Sequence, residues 1–288
     1  MVVERFAPSP TGLLHLGHAY SAVMAWRAAK TAGGRLLVRL EDLDRSRVRP
    51  AYEAAIAEDL AWLGLDWDGP MLRQSDRGDA YAAALAQLAA KGLTYRCTCT
   101  RRDIADAISA PQEGAMAATG PDGPVYPGTC RGRNRAADEP FAIRLNMAAA
   151  LEHLSAATLS FHELSATASG MPEDVALDLD QVVGGTGDVV LARRDGAVAY
   201  HLAVVIDDAF QGVTHVTRGR DLFSATPIHR VLQALLDLPA PTYRHHKLVR
   251  DEYGKRLAKR DDARAIASYR KAGLSPADVI ALAEGSVG

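Results

Sequence analysis

Apolar and polar positions switch between two periods along the chain, and the switches outline its elements. Residues 2–6, VVERF, form a short β-rich run that predicts a strand. The loop APSPTGLLHLG follows, and HAYSAVMAWRAAKT, dense in strong helix formers, runs to the stop signal Gly33-Gly34. RLLVRLEDLD, residues 35–44, supplies a second apolar strand, so residues 2–44 predict a βαβ unit with a right-handed crossover. Helices follow at AYEAAIAEDLAWLGL (51–65) and DAYAAALAQLAAKGL (79–93). Between Arg101 and Glu139 the pattern dissolves into Pro, Gly, Ala and Arg, which predicts an inserted subdomain or a mobile loop. It resumes at 187–209 as two apolar runs around Asp195-Gly196, a dipeptide suited to a type I′ hairpin turn. Ser224 is the expected N-cap of ATPIHRVLQALLDL (225–238), and the last forty residues read as a short strand, a basic loop and helices.

Composition narrows the class. With 288 residues, 48% of them apolar and 24% charged, the chain reads as an ordinary globular protein with one large domain or one carrying an insertion. No apolar run approaches the roughly 18 residues of a membrane span, and MVVERFAPSP lacks a signal-peptide pattern, so a cytoplasmic, non-membrane protein is expected. The formal net charge of −2 gives no global attraction to a polyanion. A local one exists: residues 244–271 hold ten Lys or Arg against four Asp or Glu, a surplus suited to RNA phosphates.

The candidate chemistry begins at residues 8–18, PSPTGLLHLGH. A loop that leaves a first strand and enters a helix N-terminus is where open α/β sheets bind nucleotides, because unpaired N–H groups and the helix dipole favour phosphates. His15 and His18 at i and i+3 are expected to share a face of the helix's first turn. Gly17 would let a flat base or ribose approach the backbone, while Pro8 and Pro10 stiffen the loop. The competing reading is a pair of packed, hydrogen-bonded histidines.

HLGH in this position resembles the HIGH signature of class I aminoacyl-tRNA synthetases, and RFAPSPTGLLHLGH resembles the glutamyl and glutaminyl branch. RLEDLD near residue 41, HVTRGRDL near 218 and GKRLAKR near 257 recur in the family's order, the last resembling its KMSKS loop. The resemblance implies attack of a glutamate carboxylate on the α-phosphate of ATP, with Mg2+ pyrophosphate expelled, and cations gathered around the transition state. His15 and His18 would donate to phosphate and ribose, Gly17 would line the ATP site, and Lys259 would clamp the phosphates. Arg256 stands where a first lysine is common and Ala258 where serine is common, which keeps one charge but loses a hydroxyl. For glutamate, Arg5 at the end of the first strand and Arg218 suit the carboxylates, and Glu41 at the end of the second strand suits the ammonium. Ala7, Ser9 and Tyr200 complete the pocket that the resemblance implies, with neutral hydrogen bonds from Ser9 and Tyr200. Each of these charged groups could alternatively be structural.

Only three cysteines occur, Cys97, Cys99 and Cys130, which excludes a disulfide scaffold and invites a Zn2+ reading. Zinc prefers four tetrahedral ligands, and no histidine lies between residues 97 and 152. Tyr126 fits the family's Y-x-x-x-C pattern as the fourth ligand, with water as its competitor and three plain reduced thiols as the alternative.

CTCT and DDAFQGVTHV resemble a shortened, cysteine-bearing branch of the family that places glutamate on the queuosine base at the wobble position of tRNA(Asp). The expected fold is α/β, a Rossmann-type nucleotide-binding domain with an inserted zinc-bearing subdomain and a short helical C-terminal end. Residues 1–95 and 181–240 would form its two halves, 96–180 the insertion, and 241–288 the KMSKS-like loop and helical end. A monomer acting on glutamate and tRNA(Asp) bearing queuosine is expected, without an anticodon-binding region. The rival readings are a truncated conventional glutamyl-tRNA synthetase charging a tRNA 3′ end, and a non-catalytic paralogue that binds tRNA or glutamate.

Overall fold

The computed structural model describes residues 1–109, 118–133, 139–155, 158–165, 171–250 and 264–287. The predicted βαβ unit is present: β1 (Val3–Phe6) and β2 (Arg35–Leu40) pair in parallel, joined by α1 (Leu16–Thr31). After α2 (Pro50–Trp62), β3 (Leu72–Arg73) extends this sheet in parallel beside β2. On the other side of β1 lies β11 (His215–Gly219), where the Thr214 N–H donates to the Val3 carbonyl at 3.0 Å. β12 (Thr242–His246) pairs in parallel with β11, β8 (Ser160–Glu163) with β12, and β9 (Glu173–Ala176) adds an antiparallel edge. The chain therefore moves outward from β1 through β2 and β3, then returns to the opposite side through β11. Such a reversal leaves a crevice at the carboxyl ends of β1 and β11.

A second, antiparallel sheet of order β10-β7-β4 is built from β4 (Thr94–Cys97), β7 (Ala142–Leu145) and β10 (Val190–Ala192). α3 (Gly78–Ala90) precedes it. Within it run α4 (Arg101–Ser109), the hairpin β5 (Thr119–Gly120) and β6 (Gly123–Pro124), α5 (Met147–His153) and α6 (Leu179–Gln181). α7 (Tyr200–Phe210), α8 (Thr226–Leu235), α9 (Ile266–Lys271) and α10 (Pro276–Gly285) complete the described α-helices. None of these is long and apolar enough to cross a membrane.

α1 buries Ala19, Ala22, Ala25 and Ala29, small side chains that let it lie close to β1 and β2. Leu36, Val38, Leu40, Ile56 and Leu60 fill this core, which Ile266 and Val279 of α9 and α10 cover. A leucine at Ala25, which is fully buried, would overpack the contact at a cost of about 1–3 kcal/mol. A second core joins Leu145, Leu191, Leu202, Ile228 and Leu232 beneath α7 and α8.

Three local expectations are corrected. Gly196 adopts φ +82° but Asp195 does not have positive φ, whereas a type I′ turn requires it at both central residues. The Gly196 N–H donates to the Arg193 carbonyl and the Arg193 N–H to the Ala197 carbonyl, closing a longer loop. Only the bridge Ala192–Val198 follows, because the second apolar run buries its residues as helix α7 against α8. Ser224 is not an N-cap: it lies inside a 3-10 turn, Arg220–Ala225, that runs directly into α8. The stretch from Arg101 contains helix α4, whose only large apolar residues, Ile104 and Ile108, make too short a pattern to announce it.

Candidate active site

The first turn of α1 is closed by two imidazoles. His15 is extended and caps the helix, its Nδ1 accepting from the Gly17 N–H at 3.1 Å. His18 Nδ1 accepts in return from the His15 N–H at 3.2 Å, a reciprocal capping box. Because both Nδ1 atoms accept, both rings carry their proton on Nε2 and present a donor there. The ring centroids are 3.8 Å apart. His15 is thus the N-cap rather than a residue of the first turn, and the two rings lie on one side of the helix start as the spacing predicts. The space at Gly17 is also explained differently from the expectation: a Cβ there would stand 3.0 Å from His15 Cε1, so the missing side chain admits the His15 ring.

Buried charge gathers where β1 and β2 end. Arg39 Nη1 donates to Asp208 Oδ1 at 2.7 Å and to Gln211 Oε1 at 3.0 Å. Arg5 Nε donates to the same Asp208 oxygen at 3.3 Å, and its Nη1 to the Thr217 carbonyl at 3.4 Å. Burial raises Asp208, but Arg39 and Arg5 outweigh it and hold the carboxyl low. Glu41 lies 3.9 Å from Arg39 Nη2 and shares that cation with Asp208. Here burial prevails over Arg39 and Arg5, and the Glu41 carboxyl is pushed up to about 7.

Arg218, on β11, enters from the other side. Its Nε donates to His245 Nε2 at 3.0 Å, its Nη1 to His229 Nδ1 at 3.1 Å, and its Nη2 to Thr226 Oγ1 and the Leu222 carbonyl at 2.8 and 3.3 Å. Tyr200 opens α7 beside it, and burial raises its hydroxyl, which stays neutral.

Arg5, Ala7, Ser9, His15, Gly17, His18, Glu41, Tyr200 and Arg218 all line one cavity of about 540 Å³ at the reversal point of the sheet. That volume falls in the range of small-molecule sites, about 300–1,000 Å³. Its cationic end, with Arg5 and Arg218, and its imidazole end, with His15 and His18, suit a ligand carrying carboxylates at one end and phosphate at the other. Arg256 and Lys259 lie outside the described residues. Sequence reading missed Arg39 and Asp208, which hold the pocket's charges, and His229 and His245, which flank Arg218. An arginine inside RLLVRL and an aspartate pair closing AVVIDD were the available signals.

Cys97, Cys99 and Cys130 converge from β4 and the loop after β6, all three sulfurs within 4.8 Å of one another. Tyr126 Oη lies 3.4 Å from the sulfurs of Cys97 and Cys99 and accepts from the Cys130 N–H at 2.9 Å. Cys99 and Cys130 Sγ are 3.5 Å apart. A tetrahedral zinc with 2.3 Å Zn–S bonds sets its sulfurs about 3.7 Å apart, so the donor set fits the ion. Burial alone would raise Cys130, yet hydrogen bonds from Tyr126 and its other neighbours lower the thiol to about 6, while burial raises Cys99 to about 11 and raises the Tyr126 hydroxyl, so one thiolate is held by its protonated neighbours.

The family described as tRNA synthetases class I (E and Q), catalytic domain, matches residues 1–283. A Rhodobacter capsulatus protein named Glutamyl-Q tRNA(Asp) synthetase is 54% identical over 282 residues, 96% of this chain and 98% of that relative. A Nocardia farcinica protein of the same name is 44% identical over 293 residues, 99% of this chain and 84% of that relative. Among solved structures, a glutamate tRNA ligase from Elizabethkingia meningosepticum, in complex with its amino acid, superposes with a TM-score of 0.73 at 27% identity. The match covers 96% of this chain and 58% of that one.

Proposed function

The chain belongs to the class I tRNA synthetase family of the glutamyl and glutaminyl branch, a family of ATP-dependent ligases, and on that premise we propose that it activates glutamate and passes it to queuosine in tRNA(Asp). The observation that carries the activation step is the single cavity holding Arg5, Glu41 and Arg218 with His15 and His18.

In this reading Arg218 and Arg5 take the glutamate carboxylates, Glu41 takes the ammonium, and Ala7, Ser9 and Tyr200 bound the pocket. ATP enters as its Mg2+ complex along His15, Gly17 and His18. The capping box has already set the imidazole tautomers, so the Nε2–H donors need no reorganisation as charge develops on phosphate oxygens. Lys259 and Arg256 supply further cations to the same phosphates. Zinc, held by Cys97, Cys99, Tyr126 and Cys130, would tie β4 to the loop after β6 and stabilise the insertion. A second cavity of about 540 Å³ shares Ser9, Glu41 and Tyr200 with the first and carries Arg47, Arg101 and Arg193 together with Asp44, Asp122 and His201 on its walls. In this reading it is the route by which the acceptor reaches the activated carbonyl. Queuosine as acceptor is supported by the names of the relatives from Rhodobacter and Nocardia, and a cytoplasmic monomer accompanies this reading. Charging of a tRNA 3′ end is the second reading, favoured by the name of the Elizabethkingia ligase.

Activation is tested by pyrophosphate exchange with ATP, Mg2+ and glutamate in the absence of tRNA. Exchange is expected with glutamate and much less with aspartate, whose shorter side chain withdraws a carboxylate from a fixed arginine. Equal exchange with both amino acids would remove the pocket assignment.

A further inference from the structure

Arg218 is held by a directional chain of hydrogen bonds that leaves the first cavity and ends on the wall of the second. Its guanidinium is always a cation and only donates, so both imidazole nitrogens that face it, His245 Nε2 and His229 Nδ1, must be acceptors. His229 then carries its proton on Nε2, which faces His201 Nδ1 at 3.1 Å. His201 Nδ1 must accept, so His201 is protonated on Nε2, and that nitrogen lies 3.0 Å from both carboxylate oxygens of Asp122. Asp122 sits in the turn of the β5–β6 hairpin, far from Arg218 in sequence, and its carboxylate can only accept. On the other side His245 Nδ1 donates to the buried Glu163 at 2.6 Å.

The polarity of the chain is therefore fixed at its ends by a cation and a carboxylate. Four of the five Arg218 N–H groups are engaged among the described residues, leaving one on Nη1 at the wall of the cavity. Burial and the Arg218 charge keep His229 neutral, as an acceptor from a cation must be. Without Asp122 the His201 Nε2–H loses its acceptor on the hairpin, so the His201 and His229 rings, and through them the bond to Arg218 Nη1, are anchored from the Arg218 end alone.

We propose that Asp122 is a positioning residue for glutamate binding: through His201 and His229 it holds Arg218 oriented toward the substrate carboxylate, so that docking of the inserted β5–β6 hairpin sets the competence of the amino-acid pocket. The proposal rests on the assignment of Arg218 to a glutamate carboxylate.

The test is steady-state pyrophosphate exchange with Asp122→Ala, Asp122→Asn, His201→Phe, the Asp122→Ala/His201→Phe double variant and Arg218→Ala. Asp122→Ala and His201→Phe are each expected to raise the glutamate KM about tenfold while the kcat and the ATP KM stay within about twofold. Asp122→Asn retains an acceptor oxygen and is expected to restore the glutamate KM to within about threefold of the parent. Members of one chain are not independent, so the double variant is expected to be no worse than either single. A parental glutamate KM in His201→Phe, an Asn variant as impaired as Ala, or a double variant showing the product of the single effects would each overturn the proposal. His201→Phe leaves the hairpin itself unaltered and carries the test if Asp122→Ala does not fold. An unchanged glutamate KM in Arg218→Ala would instead overturn the assignment of Arg218, whatever the other variants do.

Discussion

Glu41 ties the pocket's electrostatics to a pH titration. Its carboxyl is raised to about 7 because burial penalises the charge more than Arg39 at 3.9 Å, shared with Asp208, can compensate. If the substrate ammonium docks on Glu41, the competent form of the free enzyme is the ionised one. With a pKa near 7, roughly nine tenths of the molecules are ionised at pH 8 and roughly one tenth at pH 6, and apparent affinity scales with that fraction. The kcat/KM for glutamate should therefore fall about tenfold between pH 8 and pH 6. The side-chain carboxyl of free glutamate, with a pKa of about 4.3, does not titrate in this window. Buried His245 and His246 are both lowered below their ordinary value and stay neutral across most of it. The assay is tRNA-independent pyrophosphate exchange at pH 5.5 to 8.5, with glutamate varied at saturating ATP and then ATP varied at saturating glutamate. Glu41→Gln should be poor at pH 8 and lose the acid limb in glutamate kcat/KM. A flat profile between pH 6 and 8 in the parent, or the same limb persisting in Glu41→Gln, would refute the assignment of the ammonium to Glu41.

Two further outcomes follow from other parts of the molecule. Purified protein should hold about one zinc per chain and lose it in Cys97→Ser, since a structural site closes with four ligands; metal-free protein with an unchanged melting temperature would make the cysteines ordinary. Asp59, on α2, is raised to about 6 by burial, against Arg270, and one of its oxygens has no partner. Its native pKa lies above the unfolded value, so its native form is favoured at low pH and stability is lost as pH rises from about 4 to 6. The stability of Asp59→Asn relative to the parent should accordingly grow by about 1–3 kcal/mol between pH 4 and pH 7, measured by urea unfolding, and parallel stability curves would contradict it.

Much of the fold was legible in local pattern. The strand, loop, helix and strand of residues 2–44 follow from propensity and the Gly33-Gly34 stop, and the proline- and glycine-rich loop marks the crevice. The corrected features depend on contacts that no local window contains. The run after Gly196 is equally apolar as strand or helix, and only its packing against α8 makes it α7. His15 and His18 were recognisable as candidates, but that His15 caps the Gly17 N–H while His18 accepts from the His15 N–H depends on an extended His15 with a glycine two residues on. Arg39 and Asp208 are 169 residues apart in sequence, and a buried arginine in an apolar strand acquires meaning only when its distant carboxylate is known. The chain from Arg218 to Asp122 likewise joins β11, α8, α7 and the insertion, which no spacing rule connects.

The acceptor is tested most directly by locating the label after reaction. tRNA(Asp) from cells that make queuosine, stripped of its terminal adenosine, would be incubated with enzyme, ATP, Mg2+ and labelled glutamate, then digested to nucleosides. Label on the queuosine nucleoside, and none on an unmodified tRNA(Asp) transcript, is the expected result. Label that requires the intact 3′ end, or that appears on unmodified tRNA(Glu), would contradict it and identify a conventional charging activity.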